Sequence, residues 1–371
     1  MKNYQIFGPA AQYQSLTEGE ILFREGDTGD HLYVIVQGEI DISAEGKLVD
    51  RLGEGNIIGE MALVDDRSRS ATATAASDAT LLPVDRERFR ELVRESPDFA
   101  IQVMSIMSKR LRRMNVEELE KQRLEEELNI GRKIQLSLLP ELCPDIPGWE
   151  LAADYRAARQ VGGDFYDFIF PLDQPNQVHI VTADVTGKGV PAALFMASCR
   201  TAIRSEALKG VSPSEALTST NCLVALDTRS QLFLSAFYAV LDTSSGHLRF
   251  SNGGLEWPFL LRYQSKSVDR LKARGLVLGA FVDAQYDELE LTMNPGDTVV
   301  FFTDGVTDTR NSDGEFFGND RLAQIITGES WQNAHQLVYR IVQEIKLFRG
   351  DAPPFDDITL VALQRKLDDP F

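Results

Sequence analysis

Four aspartates stand at positions from which a chain can do chemistry. Asp164 follows two glycines in "VGGDFYDF" (161–168). Asp184 ends an apolar run just before a Thr-Gly-Lys-Gly turn in "QVHIVTADVTGKG" (177–189), and Asp304 repeats the device in "DTVVFFTDGVTDT" (297–309). Asp356, with Asp357 behind it, leads into the strand of "FDDITLVAL" (355–363). Each of these residues alone suits a turn or a strand end. As a set they put carboxylates at the ends of separate strands, which a single sheet sandwich can bring to one point. Carboxylates gathered there repel one another, and burying them unpaired is costly. A hard divalent cation relieves the repulsion, and an oxygen-only donor set selects Mg²⁺ or Mn²⁺ over zinc. Only four histidines occur in the chain, none of them beside these aspartates.

The elements that would position this set are strands with two helices between them, beginning beyond Pro140. Ahead of them, from Phe99 to about Leu139, strong helix formers run without a proline and predict one long helix. Its apolar residues fall at Met104, Met107, Leu111 and Met114, then slip in phase near Val116 and Lys121, so a heptad is not sustained. A parallel two-chain coiled coil and a single helix lying on a domain both remain open. The first third reads as short strands punctuated by glycine, as in "HLYVIVQGEIDIS" (31–43), and predicts an antiparallel barrel or sandwich. Within it, "GEMALVDDRSRSATATA" (59–75) breaks the alternation with a helical turn at Glu60–Leu63 and an arginine, Arg69, before small residues. Exposed amides at a helix start and a guanidinium make a phosphate cradle. The same residues also fit a surface arginine and a glutamate that caps the turn.

The chain has 371 residues, 43% of them hydrophobic and 25% charged, which is ordinary globular composition for about two domains. Its net charge of −18 makes nucleic acid and anionic membrane poor partners. No segment approaches the ~20 apolar residues of a membrane span, and no secretory signal opens the chain. Cys143, Cys199 and Cys222 are isolated, which fits a reducing, cytoplasmic setting rather than a disulfide framework.

Residues 15–112, from "FREGDTGDHLYVIVQGEI" through "GEMALVDDRSRSA", resemble a cyclic-nucleotide-binding domain. The resemblance implies that Glu60 holds a ribose hydroxyl and Arg69 the cyclic phosphate, with Ser70 and the backbone around Gly59, Met61 and Ala62 assisting. It leaves cyclic AMP and cyclic GMP equally open. Residues from about 125 to 366 resemble the metal-dependent PPM-type serine/threonine phosphatases, in their SpoIIE-like bacterial branch. That resemblance rests on "IQLSLLP", "VGGDFYDF", "ADVTGKGVPAALFMA", "TDGVTD" and "DDITLVA", in order and well spaced.

Together the two resemblances imply a multidomain chain. An N-terminal antiparallel β-barrel or jelly-roll sensor (1–112) is followed by a helical linker (113–139) and a C-terminal α+β sandwich of two sheets flanked by helices (140–371). By resemblance, two Mn²⁺ or Mg²⁺ ions would be held by Asp184, the Val185 carbonyl, Asp304 and Asp356, with Asp164 holding a metal or its water. Two such ions about 4 Å apart lower the pKa of a shared water toward ~7 for in-line attack on phosphoserine or phosphothreonine. Asp356 fits the ligand position better than Asp357. The implied substrate is a phosphorylated anti-sigma-factor antagonist, and the implied assembly a homodimer through the linker. One motif departs from the branch: "NGGLEWP" (252–258) has Leu255 where a histidine is usual, which bears on substrate fit. No counterpart to the phosphate-gripping arginine of the eukaryotic branch is evident.

Three rival readings are weaker. A diguanylate cyclase shares "GGDF" but has Phe165 in place of a glutamate and leaves the other aspartates unexplained. A nucleotide-gated transcription factor lacks a basic helix-turn-helix after the sensor. A catalytically inactive, cyclic-nucleotide-responsive scaffold is opposed by the retention of all four aspartates.

Overall fold

The computed structural model describes residues 12–61, 68–227, 232–328 and 331–367. The chain divides into two compact units, Met1–Arg123 and Leu124–Phe371. Among the described residues no helix is long and apolar enough to cross a membrane, and Cys143, Cys199 and Cys222 are all free thiols.

In the first unit, eight short strands form two four-stranded antiparallel sheets. One has the order β1 (Gln14–Leu16), β8 (Ala79–Asp85), β3 (His31–Gln37), β6 (Ile57–Ile58). The other runs β2 (Ile21–Phe23), β7 (Thr72–Ala75), β4 (Ile40–Ala44), β5 (Lys47–Leu52). Alternation along β3 explains the layering. Leu32 and Val34 pack with Leu92, Phe99 and Val103, whereas Ile35 packs with Ile40, Ala73 and Leu81. Successive side chains on a strand point to opposite faces, so one strand serves a helix layer and a sheet layer.

Leu92 belongs to α1 (Arg86–Glu95), whose Asp85 cap accepts a 2.7 Å hydrogen bond from the Arg88 N–H. Phe99 and Val103 begin α2, which runs unbroken from Pro97 to Leu138 and so crosses the boundary between the units. Past its first turns α2 leaves Met104, Leu111, Met114, Leu119, Leu124, Ile130 and Ile134 exposed.

The second unit holds two five-stranded antiparallel sheets. The first has the order β10 (Phe165–Ile169), β11 (Gln177–Val185), β12 (Leu234–Asp242), β13 (His247–Gly253), β16 (Glu288–Thr292). The second has β15 (Val268–Arg270), β14 (Phe259–Leu261), β17 (Thr298–Phe302), β18 (Ile358–Arg365), β9 (Trp149–Arg156). Again the sequence alternates to suit. Val299 and Phe301 of β17, with Val361 and Leu363 of β18, share a core with β11 and β12. Val300, Phe302, Leu360 and Ala362 face α6 (Gly318–Gly328) and α7 (Ala334–Arg349). The helices α3 (Val190–Ala207) and α4 (Pro213–Asp227) bury Ala192, Met196, Ile203 and Leu217 in the core of the first sheet. Each such aliphatic or aromatic side chain contributes about 1.5–3 kcal/mol on burial. The expected α+β sandwich is present, with more than the two helices anticipated.

Candidate functional site

The packing of the two sheets decides where the aspartates go. Asp184 lies at the end of β11, and Asp164 immediately precedes β10, whose Phe165 pairs with Ala183. Asp304 follows β17 and starts the single turn α5 (Asp304–Thr307), while Asp356 and Asp357 precede β18. Asp164 bridges the sheets. Its Oδ2 accepts hydrogen bonds from the Thr303 hydroxyl at 2.6 Å and the Thr359 hydroxyl at 2.8 Å, both from the second sheet's strand ends.

The glycines of "VGGD" are needed because backbone and side chains meet there. A Cβ on Gly162 would lie 2.3 Å from the Tyr155 hydroxyl, and one on Gly163 would lie 2.9 Å from the Val185 carbonyl oxygen. A Cβ on Gly305 would fall 1.7 Å from the Asp357 carbonyl oxygen. Gly162 is also held from the helix side. Gln135 of α2, itself buried, donates from Nε2 to the Gly162 carbonyl at 2.5 Å and accepts the Gly162 N–H at 3.0 Å.

The electrostatics are those of a crowded acidic site. Burial pushes the Asp164 carboxyl well above its usual range, and the Asp184 and Asp357 charges push the same way. Burial drives Asp184 up to about 7, opposed by its hydrogen bond with Asp164 and aided by the charges of Asp304, Asp356 and Asp357. Asp304 rises to about 6, first through burial, then through the charges of Asp356, Asp308 and Glu256. Asp357 rises mainly by burial, against the Ala158 and Gly163 N–H groups, which donate to it at 2.7 and 2.6 Å. Asp356 is more exposed and faces a cation, with the Lys188 ammonium 2.9 Å from its Oδ2. Lys188 also donates to the Phe355 carbonyl.

Asp164, Asp184, Asp304 and Asp356 thus act electrostatically on one another. Among the described residues, no three Asp, Glu, His or Cys side chains are gathered closely enough to cage an ion as they stand. The donor set nevertheless fits a hard cation, since it offers oxygens only, and Asp164, Asp184 and Asp304 are raised by burial and by neighbouring carboxylates.

Reading the sequence missed Thr303, Thr359, Gln135 and Lys188 as members of this site, and set Asp357 behind Asp356. The signal was partial: Gln135 and Lys188 sit inside quoted motifs, and each threonine is one or two residues from a singled-out aspartate.

The first unit holds a cavity of about 570 Å³ lined by Phe23, Gly59, Glu60, Met61, Arg69 and Ser70 among others. Arg69 is buried, donating from Nη1 to the Gly59 carbonyl at 2.9 Å and from Nη2 to the His31 carbonyl at 2.8 Å. Its guanidinium lies 4.2 Å from the Phe23 ring centroid, and its Nε is buried with no hydrogen-bond partner. A Cβ on Gly59 would lie 2.3 Å from Arg69 Nη1, so the residue types are matched to this close approach. Glu60 pairs at 2.9 Å with Arg110 of α2, a partner the sequence did not indicate. Ser70 Oγ lies 3.7 Å from Met61 Sδ. Ala62 and Leu63, half of the anticipated turn at Glu60–Leu63, fall outside the described residues.

Comparison with known proteins agrees with both halves. Residues 13–96 match the cyclic nucleotide-binding domain family, and residues 174–366 match the family of stage II sporulation protein E (SpoIIE). The chain is 30% identical over 246 residues to phosphoserine phosphatase RsbU of Bacillus subtilis (strain 168), covering 66% of this chain and 72% of that one. Over 105 residues it is 32% identical to the cyclic AMP receptor protein of Thermus thermophilus, covering 27% of this chain and 49% of that one. The SiaA-PP2C domain of Pseudomonas aeruginosa shares the fold at a TM-score of 0.59 and 23% identity, covering 66% of this chain and 98% of that one. The chain therefore belongs to the SpoIIE family, as a PP2C-fold phosphatase domain preceded by a cyclic nucleotide-binding domain.

Proposed function

We propose that the chain is a Mn²⁺- or Mg²⁺-dependent phosphoserine/phosphothreonine protein phosphatase regulated by a cyclic nucleotide, working in the cytoplasm. The observation that carries this reading is the mutual repulsion of Asp164, Asp184, Asp304 and Asp356 at converging strand ends. Asp184, the Val185 carbonyl, Asp304 and Asp356 are the oxygens that would hold two divalent cations. Such ions supply Lewis acidity toward phosphoryl oxygens and lower the pKa of water.

The chain's own residues do the positioning. Thr303 and Thr359 fix one oxygen of Asp164, and the Gly163 and Ala158 N–H groups fix both oxygens of Asp357. Lys188 holds Asp356 in a defined direction. Cys199 is unsuited to act as a nucleophile, because burial raises its thiol to about 12 and a protonated thiol is a poor nucleophile.

In the first unit, Arg69 would hold the cyclic phosphate and Glu60 the ribose, with Gly59, Met61, Ala62 and Ser70 completing the cradle. A ribose on Glu60 would compete with Arg110 of α2, and Gln135, in the last turn of the same helix, bonds the Gly162 backbone. We take α2 as the element that joins nucleotide binding to hydrolysis. Its exposed apolar residues fit a parallel homodimer. As the resemblance to the SpoIIE-like branch implies, the substrate would be a phosphorylated anti-sigma-factor antagonist.

The test is release of phosphate from an aryl phosphate and a phosphoserine peptide in Mn²⁺, with and without cyclic AMP or cyclic GMP. Turnover that EDTA abolishes and a nucleotide alters is expected. Absence of turnover under all these conditions would make the chain a nucleotide-responsive scaffold.

A further inference from the structure

In the second unit, the loop "NGGLEWP" faces the segment that follows β15 across a cleft of about 540 Å³. Its lining includes Glu256, Trp257, Arg270, Arg274 and Asn319. Two features show that the cleft is built rather than incidental. Asn252 ties the loop to itself, donating from Nδ2 to the Leu255 carbonyl at 2.9 Å and accepting the Leu255 N–H at 2.8 Å. A Cβ on Gly275 would fall 1.9 Å from the Asn252 carbonyl oxygen, so the two walls meet in close contact beside Arg274.

The charges on these walls run against the chain's net charge. Arg270, Lys272 and Arg274 follow one another at alternate positions in a protein of net charge −18. Among the described residues no ion pair engages Arg270 or Arg274. The Arg270 guanidinium lies 4.9 Å from the Phe259 ring centroid, and the Lys272 ammonium 5.5 Å from that of Trp257. Aromatic faces hold cations while leaving their N–H groups available to an anion. Asn319 adds a buried Oδ1 with no hydrogen-bond partner. Strand β12 joins this cleft to the aspartate cluster: Gly254 of the loop bridges to Ala236, and the adjacent Ser235 pairs with Asp184.

We propose that this cleft docks an acidic stretch of the phosphoprotein beside its phosphorylated residue, with Arg270 and Arg274 as the specificity-determining cations. The proposal rests on the phosphatase reading above. It supplies a cationic surface beside a site whose titratable side chains are aspartates apart from Lys188. An anionic substrate would otherwise meet net repulsion there.

The experiment compares phosphoserine peptides of equal length flanked by Asp or by Lys, at low and high salt, with an aryl phosphate as the flank-free control. The wild-type chain should favour the Asp-flanked peptide about tenfold in kcat/KM, through KM, and the preference should shrink in salt. The R270E/R274E variant should reverse the preference and leave aryl phosphate turnover within about twofold. Arg274→Gln should give an intermediate result. A wild-type chain that turns over both peptides equally, or a reversed variant that keeps the wild-type preference, overturns the docking cleft alone. A wild-type chain that hydrolyses no aryl phosphate in Mn²⁺ overturns the phosphatase reading and the cleft with it.

Discussion

The pocket of the first unit and the aspartate cluster of the second treat charge in opposite ways. Around the first, Arg69 has two carbonyl partners, Glu60 has Arg110, and Asp50 has Arg113. In the second, Asp164, Asp184 and Asp304 are raised by burial and by neighbouring carboxylates, and Lys188 pairs with Asp356. A ligand of the first pocket has to exchange with partners already in place, so its binding is coupled to whatever those partners hold. A cation entering the second site relieves a repulsion that folding created. One site is therefore suited to sensing and the other to holding ions.

The sharpest way to break this contrast is Asp184→Asn, which keeps the shape and removes the charge. Hydrolysis in Mn²⁺ should fall about a thousandfold, the scale of several kcal/mol of lost metal-assisted stabilisation. In EDTA the variant should melt higher than the wild type, because one repelling carboxylate is gone. Activity within a few-fold of wild type would remove Asp184 from the site.

Next in size is Arg69→Ala. Cyclic-nucleotide binding measured by calorimetry should weaken about a hundredfold, since the cyclic phosphate loses its charge-assisted partner. Aryl phosphate turnover without nucleotide should stay within about twofold. If the wild-type chain binds neither cyclic AMP nor cyclic GMP, the first pocket is a degenerate sensor.

The second unit also buries a neutral base, which permits a pH test away from the aspartates. Burial, aided by the Arg249 charge, lowers His179 to about 4, and its Nδ1 lies 2.6 Å from the Tyr238 hydroxyl. Unfolded, the imidazole titrates near 6.5. Between these values the unfolded chain binds more protons, so the His179 contribution is whole above about pH 6.5 and is lost as pH falls to about 4. A depression of this size corresponds to about 3 kcal/mol. The raised carboxylates slope the other way, so the useful readout is the difference between the wild-type and His179→Gln stability curves in EDTA. Wild type should lose more stability than the variant on acidification across that window. Parallel curves would show that His179 is charged in the folded protein.

The strand ends that carry the aspartates were legible because apolar runs, turn glycines and β-branched residues mark them locally. The two faces of β3, β17 and β18 follow from the same alternation. What the sequence did not show is who holds the aspartates. Thr303 and Thr359 lie 139 and 195 residues from Asp164, and Arg110 lies 50 from Glu60. Such partners are set by how sheets and helices pack, and no local pattern encodes them. Arg69 shows the limit from the other side. Its spacing suggested a phosphate cradle, but only the fold reveals that two backbone carbonyls already occupy its guanidinium. Half of the Glu60–Leu63 turn expected beside it, Ala62 and Leu63, lies outside the described residues.

The smallest expected effect bears on whether the two sites communicate at all. A nucleotide can change a distant reaction only by binding two conformations with different affinity. The helix α2 carries Arg110, which pairs with Glu60, and Gln135, which holds both backbone groups of Gly162 two residues before Asp164. A displacement of the helix end would therefore reach the candidate site through a hydrogen-bonded pair that is buried and specific in direction. Typical couplings are about 1–3 kcal/mol, or roughly 5–150-fold in an equilibrium. Inserting two residues near Lys121 turns the downstream part of the helix by about 200° against the upstream part at 3.6 residues per turn. Neither Arg69 nor Asp184 is touched by the change. The inserted protein should bind nucleotide and hydrolyse aryl phosphate in Mn²⁺, while the response of the second to the first is lost or inverted. Gln135→Ala should weaken the same response with the helix phase intact. An inserted protein that responds to nucleotide as the wild type does would make α2 a passive tether, and the two sites would then be coupled, if at all, by another route.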